Sequence, residues 1–277
     1  MSRAGQELIA LRSADGATAE ISRHGGHVVS WRPATDGDER LFLSGTSDFS
    51  PHSAIRGGVP VIFPQFAAEG PLPRHGFART SEWTLTSAER TADGNALASL
   101  ALRDTPATRE IWPASFVLSI AVLIGGSAIT MGLGVLNTGA APLTFTAALH
   151  TYLRVRDVAE VELIGLAGSR YRESSAPTHF HTDEAPAIQP IREIDRVYVD
   201  APHSLTLREP HRALHIEKTG FRDVVIWNPG AAAAAKLADM ETGGERRMLC
   251  VEAAAVQTPV VLAPGERWHG EQRLVAR

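Results

Sequence analysis

The 277-residue sequence has a single cysteine, Cys250. One cysteine forms no intramolecular disulfide and leaves no cysteine-rich metal site. Long apolar runs are missing too: no stretch reaches 18 consecutive apolar residues, so no transmembrane helix is expected. The opening residues, MSRAGQELIALRSADG, lack the apolar segment of a signal peptide. These absences predict a cytoplasmic chain without a membrane partner. Basic excess is also absent. Lys and Arg number 27 against 31 Asp and Glu, a formal net charge of -4. A nucleic-acid binder would show a basic stripe, and none is present. A small anionic substrate stays open, because a few placed arginines bind phosphate whatever the net charge.

The chain has what a packed core needs. It is 44% hydrophobic and 21% charged, which places it among globular rather than disordered sequences. No interdomain linker, low-complexity segment or internal repeat stands out, so residues 1–277 read as one domain. Short apolar stretches recur, each closed by turn residues. SEWTLTSAE and ALASLALR flank Asp93-Gly94, a hairpin signal. Leu118 to Ile124 and Ala128 to Leu136 flank Gly125-Gly126-Ser127, a second one. PLTFTAALHTYLRV, VAEVELIGL, SLTLRE, ALHIEKTG, DVVIWNPG, RRMLCVEAAAV and RWHGEQRLVA follow as further strands. Strands at this frequency predict an all-β, antiparallel sandwich or barrel. Two segments resist that pattern. Residues 231–240, AAAAAKLADM, have high helix propensity, but their strand-like neighbours favour a strand. Residues 44–56 look irregular, with one helical turn at most. The loop-rich residues 168–190 read as an excursion from a sheet.

Four constellations could carry chemistry. In IRGGVPVIFPQF, Arg56 precedes Gly57-Gly58, where the backbone can take unusual angles. That arginine either recognises an anion or pairs with a carboxylate beside a tight turn. In GPLPRHGFART, Arg74, His75 and Arg79 lie within six residues, between prolines and a phenylalanine that would fix them. Arginine suits phosphate because its planar fork keeps its charge and offers several donors. The competing reading is a solvated basic turn. In ALHTYLRV, strand alternation puts His150 on one face with Ala148 and Tyr152. A histidine there either works as a general acid near neutral pH or is a hydrogen-bonded core residue. In MLCVEAAAV, Glu252 is the one carboxylate of an apolar run. Lining a cavity, it would have a raised pKa suited to a general base; at a strand edge it would face water. His179, His181 and Asp183 could hold a metal, but no ligand spacing elsewhere supports them, and no metal is expected.

Taken in order, IRGGVPVIFPQF, LPRHGFAR, ALHTYLRV, DRVY, WNPG and CVEAA resemble the hexose-6-phosphate mutarotases, or glucose-6-phosphate 1-epimerases, of the aldose 1-epimerase superfamily. The resemblance runs from the Glu20 region to the C-terminus. It implies a galactose-mutarotase-like antiparallel β-supersandwich with an open sugar cleft, no cofactor, and a monomer. It also implies His150 and Glu252 as the catalytic pair, Arg56 and Arg79 as phosphate contacts, and Asp195 and His75 as sugar contacts. This chain departs from the family at two positions. Some members carry glutamine where Arg74 stands, and the glutamate is often followed by threonine, here Ala253.

Exchanging α and β anomers requires one base at the C1 hydroxyl and one acid at the ring oxygen. The expected partner is therefore a small sugar phosphate. Two rivals remain: an aldose 1-epimerase for unphosphorylated hexoses, and a non-catalytic sugar-phosphate-binding module on the same scaffold.

Overall fold

Alternation of buried and less buried residues is realised in the central strands of the computed structural model, which describes residues 2–3 and 6–277. Met1, Ala4 and Gly5 of the N-terminal segment read above lie outside them. The strand Ala96–Arg103 buries every second residue, as does Phe116–Gly125. The two expected hairpins form. Thr84–Arg90 pairs with Ala96–Arg103, and Phe116–Gly125 pairs with Ala128–Asn137 around a turn where Gly126 has φ 57°.

Among the described residues the strands assemble into three sheets of four, eight and nine strands, and every strand pairing is antiparallel. The nine-stranded sheet contains both hairpins and the long strand Arg267–Ala276. The eight-stranded sheet is organised around Met248–Leu262, which pairs with Leu143–Leu149 and Tyr152–Arg154 on one side and Asp223–Asn228 on the other. Asp223–Asn228 in turn pairs with Ile194–Tyr198. The main core lies between the sheets. Leu249, Val251, Ala253 and Ala255 point into it, against residues such as Leu100, Phe116 and Ile120. Burying each large aliphatic or aromatic side chain stabilises the fold by about 1.5–3 kcal/mol before ordering costs. Because side chains alternate, Met248, Cys250, Glu252 and Ala254 must face the other way, and that opposite face holds the site.

Two expectations are corrected and one is made definite. Residues 231–240 contain no strand: Gly230–Ala234 is a short α-helix followed by turns. Gly230, at φ 62°, turns the chain off the preceding strand, and alanine's helix preference then prevails with no sheet edge to recruit it. Residues 44–56 are irregular, as expected, with turns and no helical turn. The Asp48 carboxylate accepts from the Ser50 N–H at 2.8 Å and from the Ser53 hydroxyl, so the side chain organises the loop locally. Residues 168–190 are not an excursion. They supply the strands Arg170–Glu173 and Phe180–Thr182 to the eight-stranded sheet and Ala187–Ile188 to the nine-stranded one. Among the described residues, no helix is long and apolar enough to cross a membrane.

Candidate active site

One cleft of about 420 Å³ is lined by all seven residues singled out in the sequence: Arg56, Arg74, His75, Arg79, His150, Asp195 and Glu252. Tyr152, Trp227, Ser174 and Leu237 complete much of its wall.

Glu252 and His150 meet on the cleft floor. The Leu143–Leu149 strand breaks at His150 and Thr151 before pairing resumes at Tyr152. The His150 N–H donates to the Pro60 carbonyl at 3.0 Å, while Thr151, on the opposite face, donates its hydroxyl to Gln272. His150 keeps the face expected for it and stacks on Tyr152, with ring centroids 4.8 Å apart and 12° between planes. Its Nε2 lies 3.3 Å from Glu252 Oε1. Glu252 is 1% exposed and His150 8%, so the strand-edge reading of the glutamate does not hold. Glu252 Oε2 and His150 Nδ1 have no hydrogen-bond partner, although both are buried. Two buried polar atoms left unpaired beside a cleft each carry a desolvation cost that a bound polar ligand would relieve.

Burial pushes the Glu252 carboxyl well above the ordinary carboxylate range, with Asp195 adding to the effect. Burial pushes His150 well below its ordinary range, helped by His75, Arg79 and Arg56. Both shifts favour the uncharged pair, a carboxyl beside a neutral imidazole. Cys250 lies close beneath: the ligand atoms of His150, Cys250 and Glu252 all fall within 4.8 Å of one another. This trio is the grouping that could hold a metal among the described residues, and the set His179, His181 and Asp183 is not. Burial also holds the Cys250 thiol in its neutral form. With carboxyl and thiol both favouring their protons, the trio is better disposed to move a proton than to ligate a cation.

The arginines Arg56 and Arg79 line the same cleft and act on His150. Gly57 and Gly58 place Arg56. Both have positive φ, 111° and 62°, and a Cβ on either would sit 2.3 Å from a backbone oxygen. His27, fully buried, donates Nε2–H to the Gly57 carbonyl at 2.7 Å and pins the turn. Arg56 donates Nη1–H to the Tyr152 hydroxyl at 2.9 Å and Nε–H to Asp239 at 3.2 Å. Burial opposes its charge, but the Tyr152 and Asp239 contacts outweigh burial and raise its pKa. Both sequence readings of Arg56 therefore meet here: it has a carboxylate partner and it faces the cleft. Arg79 differs. It sits on the turn Ala78–Thr80, and its Nη2–H reaches the Arg74 carbonyl at 3.2 Å. Its Nε is buried without a partner, and it has no carboxylate within ion-pair distance among the described residues. Burial, then Arg56 and Arg74, lower its pKa, with Tyr152 and Asp239 only partly opposing them. A half-buried guanidinium without a counter-charge is a costly feature that an anion would offset.

The loop holding His75 is cinched on itself. Ala67 N–H donates to His75 Nδ1 at 3.2 Å, and His75 N–H donates to the Ala67 carbonyl at 2.8 Å. Both residues have positive φ, 46° and 64°. Nδ1 accepts, so in the neutral ring Nε2 carries the proton. The ring is neutral because burial, then Arg79 and Arg74, depress its pKa to about 3. From the strand Arg170–Glu173, buried Arg172 grips Glu69 of this loop through two 2.9 Å bonds. Across the cleft Asp195 accepts from the Ser174 hydroxyl, and burial raises its pKa. Arg74 is exposed at the rim and close enough to favour the Asp195 carboxylate.

Sequence reasoning missed Trp227, Ser174 and Leu237, which line the cleft from separate strands and loops, and Asp239, which pairs with Arg56. Trp227 could have been anticipated from the WNPG motif; Asp239 lies in the segment mistaken for a strand.

The aldose 1-epimerase family model matches residues 7–275. The chain belongs to the aldose 1-epimerase family. A candidate glucose-6-phosphate 1-epimerase of Cenchrus ciliaris is 37% identical over 98% of this chain and 85% of its own length. The crystal structure of a candidate mutarotase from Salmonella typhimurium superposes with a TM-score of 0.89 at 27% identity, covering 98% of this chain and 90% of that one. A galactose mutarotase-related enzyme of Lactobacillus acidophilus shares the fold at 14% identity, with a TM-score of 0.78 over 98% of this chain and 97% of that one. The fold is the galactose-mutarotase-like sandwich, and the chain is an epimerase of the isomerase class.

Proposed function

We propose that this aldose 1-epimerase interconverts the α and β anomers of a hexose 6-phosphate, glucose 6-phosphate first among the candidates. The observation that carries the reading is Arg79, a half-buried cation in the same cleft as Arg56, with its Nε unpaired and no carboxylate in ion-pair contact among the described residues. The relative from Cenchrus ciliaris, named for that substrate, supports it.

In the proposed reaction the phosphate rests on Arg56 and Arg79, and the ring lies over the floor, with Asp195 and His75 Nε2–H at its hydroxyls. Glu252 takes the proton of the C1 hydroxyl. His150 gives a proton to the ring oxygen as the C1–O5 bond breaks. The aldehyde rotates about C1–C2, and the ring closes on the other face with the roles reversed. The resting pair holds the right number of protons. Passing one across the 3.3 Å contact turns carboxyl and imidazole into carboxylate and imidazolium, the form with one base and one acid. Arg56 and Arg79 disfavour the imidazolium. A bound phosphate dianion cancels that field, so the substrate that fits the arginines also favours the reactive form.

A neutral hexose would leave both arginines unused, which weighs against an unphosphorylated substrate. A binding module would have no use for a buried acid–base pair. Anomer-exchange NMR on glucose, galactose and mannose, with and without the 6-phosphate, tests the reading. Faster exchange of a 6-phosphate is expected, with losses of about 10²–10⁴-fold in Glu252→Gln and His150→Asn. Equal efficiency on glucose and glucose 6-phosphate would sink the substrate assignment, and wild-type rates in both variants would sink the mechanism.

A further inference from the structure

A second groove, of about 540 Å³, is larger than the catalytic cleft and shares no lining residue with it. Its walls carry five arginines: Arg32, Arg154, Arg156, Arg212 and Arg247. Two carboxylates, Asp38 and Glu39, also line it, leaving a formal lining charge of 5 − 2 = +3 in a chain whose net charge is -4. Three of the arginines have carboxylate partners. Arg212 Nε lies 2.6 Å from Glu209, Arg247 Nη2 2.5 Å from Glu241, and Arg32 Nε 3.7 Å from Glu39. The guanidinia of Arg154 and Arg156 have neither a hydrogen bond nor an ion pair among the described residues.

The walls are backbone-stitched rather than loose. Arg154 N–H donates to the Arg40 carbonyl at 2.8 Å, Arg40 N–H to Trp31 at 3.0 Å, and Val155 N–H to Arg247 at 3.0 Å. Arg212 Nη2–H donates to the Arg154 carbonyl at 3.1 Å, locking one guanidinium against the strand that carries another. Val29, Leu41 and Val155 form a buried apolar base beneath them. Five cations lining one groove repel one another, and two of them, Arg154 and Arg156, have no ion-pair partner among the described residues. A ligand with several negative charges would offset that repulsion with little ordering cost.

We propose that this groove binds a small molecule carrying two or more phosphate charges, independently of the catalytic cleft. The volume lies within the ordinary range for small-molecule sites, roughly 300–1,000 Å³. The planar forks of Arg154 and Arg156 suit phosphate oxygens, and the exposed Asp38 carboxylate would accept hydroxyl or amino hydrogens from the rest of the ligand, while Glu39 is held by the Ser30 hydroxyl and the Trp31 and Leu41 N–H groups. The same strand serves both sites: Tyr152 faces the cleft and Arg154, two residues on, faces the groove. This inference does not rest on the sugar-phosphate reading of the cleft.

Isothermal titration of the full chain with inorganic pyrophosphate and, in a second arm, fructose 1,6-bisphosphate tests it. The two arms separate a free polyphosphate from a phosphorylated metabolite. Titrations use the Arg56→Gln/Arg79→Gln variant, so that the cleft does not compete. One-to-one binding that weakens as salt rises is expected in at least one arm. Adding Arg154→Gln and Arg156→Gln should weaken it by about tenfold for each guanidinium removed. In the otherwise wild-type chain the same pair should leave anomer exchange unchanged. Arg156 is exposed, so Arg156→Gln alone gives the same reading should the double change fail to fold. No binding in either arm, or binding untouched by the loss of Arg156, overturns the proposal.

Discussion

Arg79→Gln separates the phosphate's role from the chemistry. The guanidinium lines the cleft, leaves Nε unpaired, and has two further arginines nearby, with Asp239 the one carboxylate acting on it and none in ion-pair contact among the described residues. Its charge-assisted bonds to a phosphate are worth about 1.5–3 kcal/mol. At 1.4 kcal/mol per tenfold, kcat/KM for glucose 6-phosphate should fall by about 10–150-fold. Glucose has no phosphate to lose, so its rate should hold within about twofold. Arg79 is also one of the cations that depress His150, so its removal gives no reason for a slower acid. Stability moves the other way from activity: an unpaired, largely buried charge is removed, so the thermal midpoint should hold or rise. The assay is polarimetry or exchange NMR on both sugars, with a melting curve for each protein. Matching losses on glucose and glucose 6-phosphate, at an unchanged midpoint, would refute the assignment of Arg79 to the phosphate.

Tyr152→Phe removes the hydroxyl that accepts from Arg56 while keeping the ring stacked on His150; KM for glucose 6-phosphate should rise by about 10-fold or more with kcat less affected, read by steady-state kinetics. Gly58→Ala forces a Cβ to within 2.3 Å of the Val28 carbonyl oxygen at φ 62°, so it should destabilise by at least about 1–3 kcal/mol in urea denaturation. His27 has its pKa pushed down to about 3 by burial, so below about pH 6.5 the unfolded chain takes up a proton that the native one refuses. Stability present above that pH is lost as pH falls toward 3, by up to about 1.4 kcal/mol per pH unit from this group. His27→Asn should flatten that slope in urea midpoints measured between pH 7 and 5, and an unchanged slope would show that His27 is not its source.

Much of the scaffold was legible because a strand's period of two is a local property. Ser204–Glu209 and Arg267–Ala276 have the limits their alternation suggested. The hairpin turns were legible because Asp93-Gly94 and Gly126-Ser127 carry their own backbone preferences. The segment 231–240 was misread because a helix of five residues gives too short a pattern to settle its period against strand-like neighbours. Residues 168–190 were misread because their strands are two to four residues long and draw their stability from the sheets they join.

For the site, the sequence by itself determined which side chains could do acid–base and anion chemistry, and that Leu249 and Val251 must face away from Cys250 and Glu252. Alternation along a strand needs no knowledge of the rest of the chain. The burial of Glu252 against His150 rather than at an exposed edge, the pairing of Asp239 with Arg56, and the unpaired Nε of Arg79 follow from how distant segments close over one another. The reason is physical. Burial, desolvation and pairing of a charge depend on which distant segments close over it, and Arg56 and Asp239 are separated by 183 residues along the chain.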